Sequence, residues 1–220
     1  TLPWDVGGYG ESRLAAVRVV ESTAVTISDL TIDMDLVAGN GKHGILFWDS
    51  EGTLASSILK NNQTTDYYEI GSYWRAPGYS DASRASVVIT NNTFIDTGRL
   101  GLVTHDYLDV TISNNTFYKT EDDFGYAMEI GSQSVGTISG NTIYGFDTEA
   151  ASDGSASAGI YVENCYTGGS PSVTKRVTVE NNEVYGCQSA LHIGNEFDGY
   201  AGDVDIVATV SGNNFHDNVD

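Results

Sequence analysis

Apolar and polar residues alternate with period two through most of this chain, in a phrase of eight residues that returns again and again. The clearest copies are VVITNNTF from Val87 and VTISNNTF from Val110. GTISGNTI from Gly136, VTVENNEV from Val177 and ATVSGNNF from Ala208 are looser, and VTISDLTI from Val25 and GTLASSIL from Gly52 are degenerate. The third position is always apolar: Ile27, Leu54, Ile89, Ile112, Ile138, Val179 and Val210. So is the eighth: Ile32, Leu59, Phe94, Phe117, Ile143, Val184 and Phe215. A small polar pair, mostly Asn-Asn or Gly-Asn, lies between them, and these residues tolerate the left-handed backbone of a sharp corner. The phrase predicts two short strands joined by such a corner, with Asn92, Asn115, Asn141, Asn182 and Asn213 stacked in register.

A second alternating phrase separates the copies: AVRV from Ala16, GILF from Gly44, YYEIGS from Tyr67, GLVT from Gly101, AMEIGS from Ala127, GIYV from Gly159 and ALHIGN from Ala190. It predicts a third strand per repeat, with two inward columns. One holds Val17, Ile45, Tyr68, Leu102, Met128, Ile160 and Leu191. The other holds Val19, Phe47, Ile70, Thr104, Ile130, Val162 and Ile193. No long segment has helical period. A repeat of three short strands cannot bury its apolar side alone, but it can do so by stacking on copies of itself.

These phrases, with their Ile-x-x-Asn-x-Phe and Gly-Ile-x-Val patterns, resemble the right-handed parallel β-helices of the pectate-lyase-like superfamily from about Ala15 to Phe215. The resemblance implies an all-β solenoid of about seven coils forming a single domain. Residues 1–14 would be an N-terminal cap and residues 15–215 the coils, in a module excised from a larger protein. The superfamily includes lyases, hydrolases, epimerases, adhesins and binding modules, so fold does not fix activity.

The outward positions of the octet strand form a monotonous column, Thr26, Thr53, Val88, Thr111, Thr137, Thr178 and Thr209, which strand propensity explains. The outward column of the other phrase is chemically mixed: Arg18, Leu46, Glu69, Val103, Glu129, Tyr161 and His192, with Trp48, His105 and Glu163 just beyond. Insertions crowd the same face. The expectation is a loop-walled trough along the solenoid axis, suited to an elongated polymer. Tyr73 and Trp74, in the segment after Glu69, would stand beside the floor with Tyr107 nearby. Aromatic planes with carboxylate and amide edges suit a pyranose, whose faces are C–H and whose rim is hydroxyl. The expected carbohydrate-binding residues are therefore Trp48, Glu69, Tyr73, Trp74, His105, Tyr107, Glu129, Tyr161 and His192.

Composition narrows the ligand. Ten Lys and Arg stand against 30 Asp and Glu, a net charge of -20. Nucleic acid and anionic membrane surfaces need a basic footprint that is absent here. A uronate polymer would also be repelled unless calcium bridged it. For catalysis, Glu69 and Glu129 are expected two coils apart, about 10 Å, wider than a carboxyl pair needs for glycoside hydrolysis. No lyase, epimerase or polygalacturonase signature is intact.

The chain further resembles the β-helical carbohydrate-binding modules attached to plant-cell-wall hydrolases. That implies a non-catalytic module for neutral polysaccharide, xylan first, secreted by a bacterium, monomeric and covalently linked to a catalytic domain. The alternative is a β-helical glycoside hydrolase or lyase using Glu69, Glu129, His105 or His192. No cofactor is required on this reading. Asp122, Asp123, Asp198 and Asp203 are the oxygen clusters calcium would accept. Cys165 and Cys187 are placed at opposite ends of strands in adjacent coils, about 25 Å apart, too far for a disulfide, so free or buried thiols are expected.

Overall fold

A computed structural model describes residues 14–35, 42–62, 70–120, 124–131, 133–148, 157–163, 174–194 and 205–219. Among them there is no helix. Twenty-one strands form three parallel sheets of seven, and each sheet takes one strand from every coil. The fourth coil shows the plan: Leu100–Asp106 in the first sheet, Leu108–Ser113 in the second and Thr116–Tyr118 in the third. Strands run from Leu14 to His216. Of the expected cap, residues 1–14, the first 13 lie outside the described residues and Leu14 opens the first strand.

The octet columns are those the sequence predicts. Leu54, Ile89, Ile112 and Ile138 pair coil upon coil and are fully buried. The eighth-position column stacks likewise, with Phe94 and Phe117 4.4 Å apart and nearly parallel. Each fully buried apolar side chain contributes about 1.5–3 kcal/mol, so stability accumulates coil by coil. At the last coil the same columns are open: Val210 is 45% and Phe215 39% exposed.

The corner between the second and third sheets explains the polar pair. Its first residue is left-handed in every coil, at Asp29, Ser56, Asn91, Asn114, Gly140, Asn181 and Gly212. From the second coil on, its second residue joins a ladder. Oδ1 of Asn115 accepts the backbone N–H of Asn92 at 2.9 Å and its side-chain amide at 3.0 Å. The amide of Asn115 in turn donates to the carbonyl of Ile89 and to Oδ1 of Asn141. The pattern continues through Asn182 to Asn213. At the other end Ser57 donates its backbone N–H to Asn92, and its hydroxyl accepts from Leu30. These amides are buried, where an unpaired one would be costly, so the ladder fixes coil register.

The third coil departs from the expected register by four residues. Its first-sheet strand is Ile70–Ala76. Ser72 and Trp74 therefore fill the inward columns assigned to Tyr68 and Ile70, and Tyr73 takes the outward position assigned to Glu69. YYEIGS mimics AMEIGS locally, but packing selects a different alignment. Gly71 stacks between Gly44 and Gly101, where a Cβ at Gly44 or Gly71 would meet the next coil's carbonyl oxygen. The shift also buries Trp74 face to face with Phe47, rings 3.6 Å apart, and its indole N–H donates to Ser72 at 2.8 Å. Tyr68 and Glu69 lie outside the described residues.

Cys187 is free and buried, its thiol pushed up to about 11 by burial. Cys165 lies outside the described residues.

Candidate functional site

The outer face of the first sheet carries the mixed chemistry the sequence indicates, in the corrected register Arg18, Leu46, Tyr73, Val103, Glu129, Tyr161, His192. Its middle is not an open floor. Leu46, Tyr73, Val103 and Tyr161 are at most 3% exposed and join Tyr126, Leu100 and Ile70 in a second apolar cluster outside the coil interior. Arg18 is exposed and His192 half-buried at the two ends of the column. The trough is thus corrected to a packed face with solvent-reaching ends, because tyrosines and aliphatic groups in adjacent coils pack on one another.

The expected binding residues occupy different environments. Trp74 is inside the coil and presents no face to a ligand. Trp48 is 8% exposed, and the Arg75 guanidinium lies 5.4 Å from its ring centroid. Tyr73 is a strand residue, not part of an insertion, with its ring edge-on to His43 and His105. Tyr161 meets Tyr126 on one side and His192 on the other, the latter edge-on at 5.1 Å. Tyr107 is half-buried at the corner leading to the second sheet, with Arg84 5.8 Å from its ring centroid. Glu69 and the four expected calcium ligands, Asp122, Asp123, Asp198 and Asp203, lie outside the described residues.

His105 and Glu129 do come together, and with them Glu163. His105 Nε2 is 2.7 Å from Glu129 Oε1, and ligand atoms of all three residues lie within 4.8 Å of one another. None is more than 6% exposed. Three coils build this group. His105 and Glu163 point outward from the strands Leu100–Asp106 and Ala158–Glu163 on either side of the fifth coil. The fifth coil supplies Glu129, and at the position between the other two it has Gly131. A methyl group there would overlap the His105 imidazole. Lys175 braces the arrangement from the second sheet, donating its Nζ to the carbonyls of Ile130 and, at 2.9 Å, Glu163.

In the sequence His105 and Glu129 stand as separate candidates, with Glu163 a neighbour. The signal that unites them is an aligned column reading His105, Gly131, Glu163, with a glutamate two residues before the glycine.

Two other features frame the site. Arg75 makes a two-pronged ion pair with Asp106, at 2.6 and 3.2 Å, beside the phenol oxygen of Tyr73. Asp49 accepts the backbone N–H of Gly78 at 2.7 Å, and its carboxyl is raised above the ordinary range, chiefly by burial. Together they tie the turn after Ala76 to the body. On the second sheet an open groove of about 660 Å³ runs over Asp109, Thr137, Arg176, Thr178 and Thr209, with Asp81 and Arg84 on its wall. In the sequence, strand propensity alone accounts for the threonines of that column.

The sequence pattern described as "Right handed beta helix region" matches residues 12–167 and 80–220, nearly the whole chain. The chain belongs to the right-handed β-helix family. No curated protein and no solved structure matches it. Membership accounts for the three parallel sheets and the seven coils of this right-handed β-helix. It assigns no ligand, so the chemistry of the β-helix must be argued from its own residues.

Proposed function

We propose that this β-helix is a non-catalytic module that binds a neutral plant-cell-wall polysaccharide, xylan first, at the outer face of the first sheet. The observation that carries the reading is the contrast between faces. The second sheet displays threonines, and the third a stacked ladder of Tyr118, Tyr144, Tyr185 and His216 whose rings cover one another. Among the described residues the first sheet is where Tyr, His and Glu side chains interlock while buried, in a network that strand formation does not require. Of the expected binding residues, His192 reaches solvent on this face, and Tyr107 does so at the corner toward the second sheet. Tyr161, buried behind His192, holds that imidazole edge-on, so a sugar would meet a preset aromatic and hydrogen-bonding edge. The net charge of -20 favours an uncharged chain over a uronate.

One observation favours a second reading, hydrolysis. Ligand atoms of Glu129 and Glu163 lie within 4.8 Å of each other, close to the spacing of about 5–5.5 Å that a retaining pair of carboxyl groups occupies, and His105 bonds to Glu129. Native electrophoresis through gels containing xylan, glucan, mannan or pectin, beside a reducing-sugar assay on the same polymers, separates the readings. Retardation by a neutral polymer without sugar release is expected. Sugar release would replace the binding reading with the hydrolytic one, and neither retardation nor sugar release with any polymer would overturn both.

A further inference from the structure

We propose that His105, Glu129 and Glu163 form a binding site for one divalent transition-metal ion of the zinc type. The proposal is independent of any glycan. Among the described residues this is the one group of three or more His, Cys, Asp or Glu side chains whose donor atoms converge. All three residues are more than nine-tenths buried. Two carboxylates and an imidazole are an expensive set to bury unless a partner compensates them.

The geometry suits a small ion. With metal–ligand bonds of about 2.0–2.1 Å, the donor atoms of a tetrahedral site stand about 3.3 Å apart. The observed donors span 2.7 Å for the His105–Glu129 pair and lie within 4.8 Å overall. Small side-chain rotations therefore bring them onto one sphere. The His105–Glu129 contact needs a proton on its line, and that proton is what a metal ion displaces.

A second observation is independent of the three ligands. Gly131 leaves the fifth coil without a side chain where His105 and Glu163 face each other, and any larger residue would occupy the imidazole's place. The opening is therefore built into the backbone column. Lys175 holds the carbonyls of Ile130 and Glu163, the residues next to one ligand and belonging to another, which keeps both strands fixed. Donor chemistry selects the ion. An imidazole nitrogen with two carboxylate oxygens suits zinc, cobalt or manganese, whereas calcium and magnesium prefer oxygen alone. Three protein ligands leave a fourth position for water or a hydroxyl group of a bound molecule.

The test uses the whole chain, stripped with a chelator and titrated with Co²⁺ while its visible absorption is recorded, then with Zn²⁺ by calorimetry. Expected are d–d bands that saturate at one Co²⁺ per chain, are bleached by Zn²⁺, and are lost in Glu163→Gln and His105→Gln. His216→Ala, which removes a half-buried imidazole on the third sheet, should keep them. Circular dichroism confirms that each variant folds, and Glu163→Gln, nearly isosteric, is the variant least exposed to failure on that score. Absence of saturable bands in the parent chain, or bands of equal strength in folded Glu163→Gln, would overturn the proposal. Glycan retardation unchanged by chelation would leave the metal site standing, so the two proposals fail separately.

Discussion

Nε2 of His105 lies 2.7 Å from Oε1 of Glu129 in the next coil, both side chains nearly cut off from water. Breaking such a buried pair from one side leaves an uncompensated polar or charged group, whereas replacing the whole group by apolar residues does not. Glu129→Ala should therefore lower the unfolding free energy by about 3–5 kcal/mol. The combined replacement His105→Phe, Glu129→Leu, Glu163→Leu should leave it unchanged or raise it by up to about 4 kcal/mol. Guanidinium unfolding of the three chains checks this. A triple variant as weak as Glu129→Ala would mean that the cluster exists for the fold.

The asparagine ladder makes a graded prediction. Asn115 is 1% exposed and bonds to Asn92, Ile89 and Asn141. Its removal strands several buried partners at about 1–3 kcal/mol each, so Asn115→Ala should cost at least about 3 kcal/mol. Asn213 makes the same bonds to the preceding coil but is half-buried in the last one. There Asn213→Ala should cost roughly 1 kcal/mol. Equal losses in urea denaturation would show that the ladder does not act through burial.

Trp74 tests the corrected register. Sealed against Phe47, it should respond to truncation as a core residue, Trp74→Ala costing about 3–5 kcal/mol. Its indole should also be inaccessible to iodide quenching in the intact chain. A change of less than about 1 kcal/mol would return Trp74 to the surface and the strand to its sequence-based alignment.

His216 offers a pH dependence. Its Nδ1 is 2.9 Å from Asp217 and its Nε2 3.6 Å from Glu183, and the Asp217 bond above all raises its pKa from the ordinary 6.5. The folded state thus binds the proton more tightly than the unfolded one. The resulting stabilisation is fully present below pH 6.5 and is lost as pH rises through the raised value. A proton NMR titration should place the midpoint above 6.5 and show it falling in Asp217→Asn. A midpoint at 6.5 or below in the parent chain would contradict the contact.

Much of this architecture was legible because a solenoid repeats its constraints. Ile89, Ile112 and Ile138 announce one column by spacing alone, and Asn92, Asn115 and Asn141 another. The third coil was misaligned because Glu69-Ile70-Gly71-Ser72 copies Glu129-Ile130-Gly131-Ser132, while the deciding contacts, Gly71 between glycines and Trp74 on Phe47, involve neighbouring coils. The outward positions of Tyr161 and Val103 were legible, but not their burial, since period two gives the face of a sheet and not what packs on it. The meeting of His105 with Glu163 was hidden for a related reason. It crosses two coil intervals and depends on the side chain that Gly131 lacks.

The claim that the first sheet recognises a neutral glycan is tested most directly by the mobility of surface variants in xylan gels. His192→Ala and Tyr107→Ala remove the expected binding residues that reach solvent, and Thr178→Lys fills the groove on the second sheet. The account predicts that the parent chain is retarded, that the first two variants lose most of that retardation, and that Thr178→Lys keeps it. Retention by the first two with loss in Thr178→Lys would contradict the account and move recognition to the second sheet.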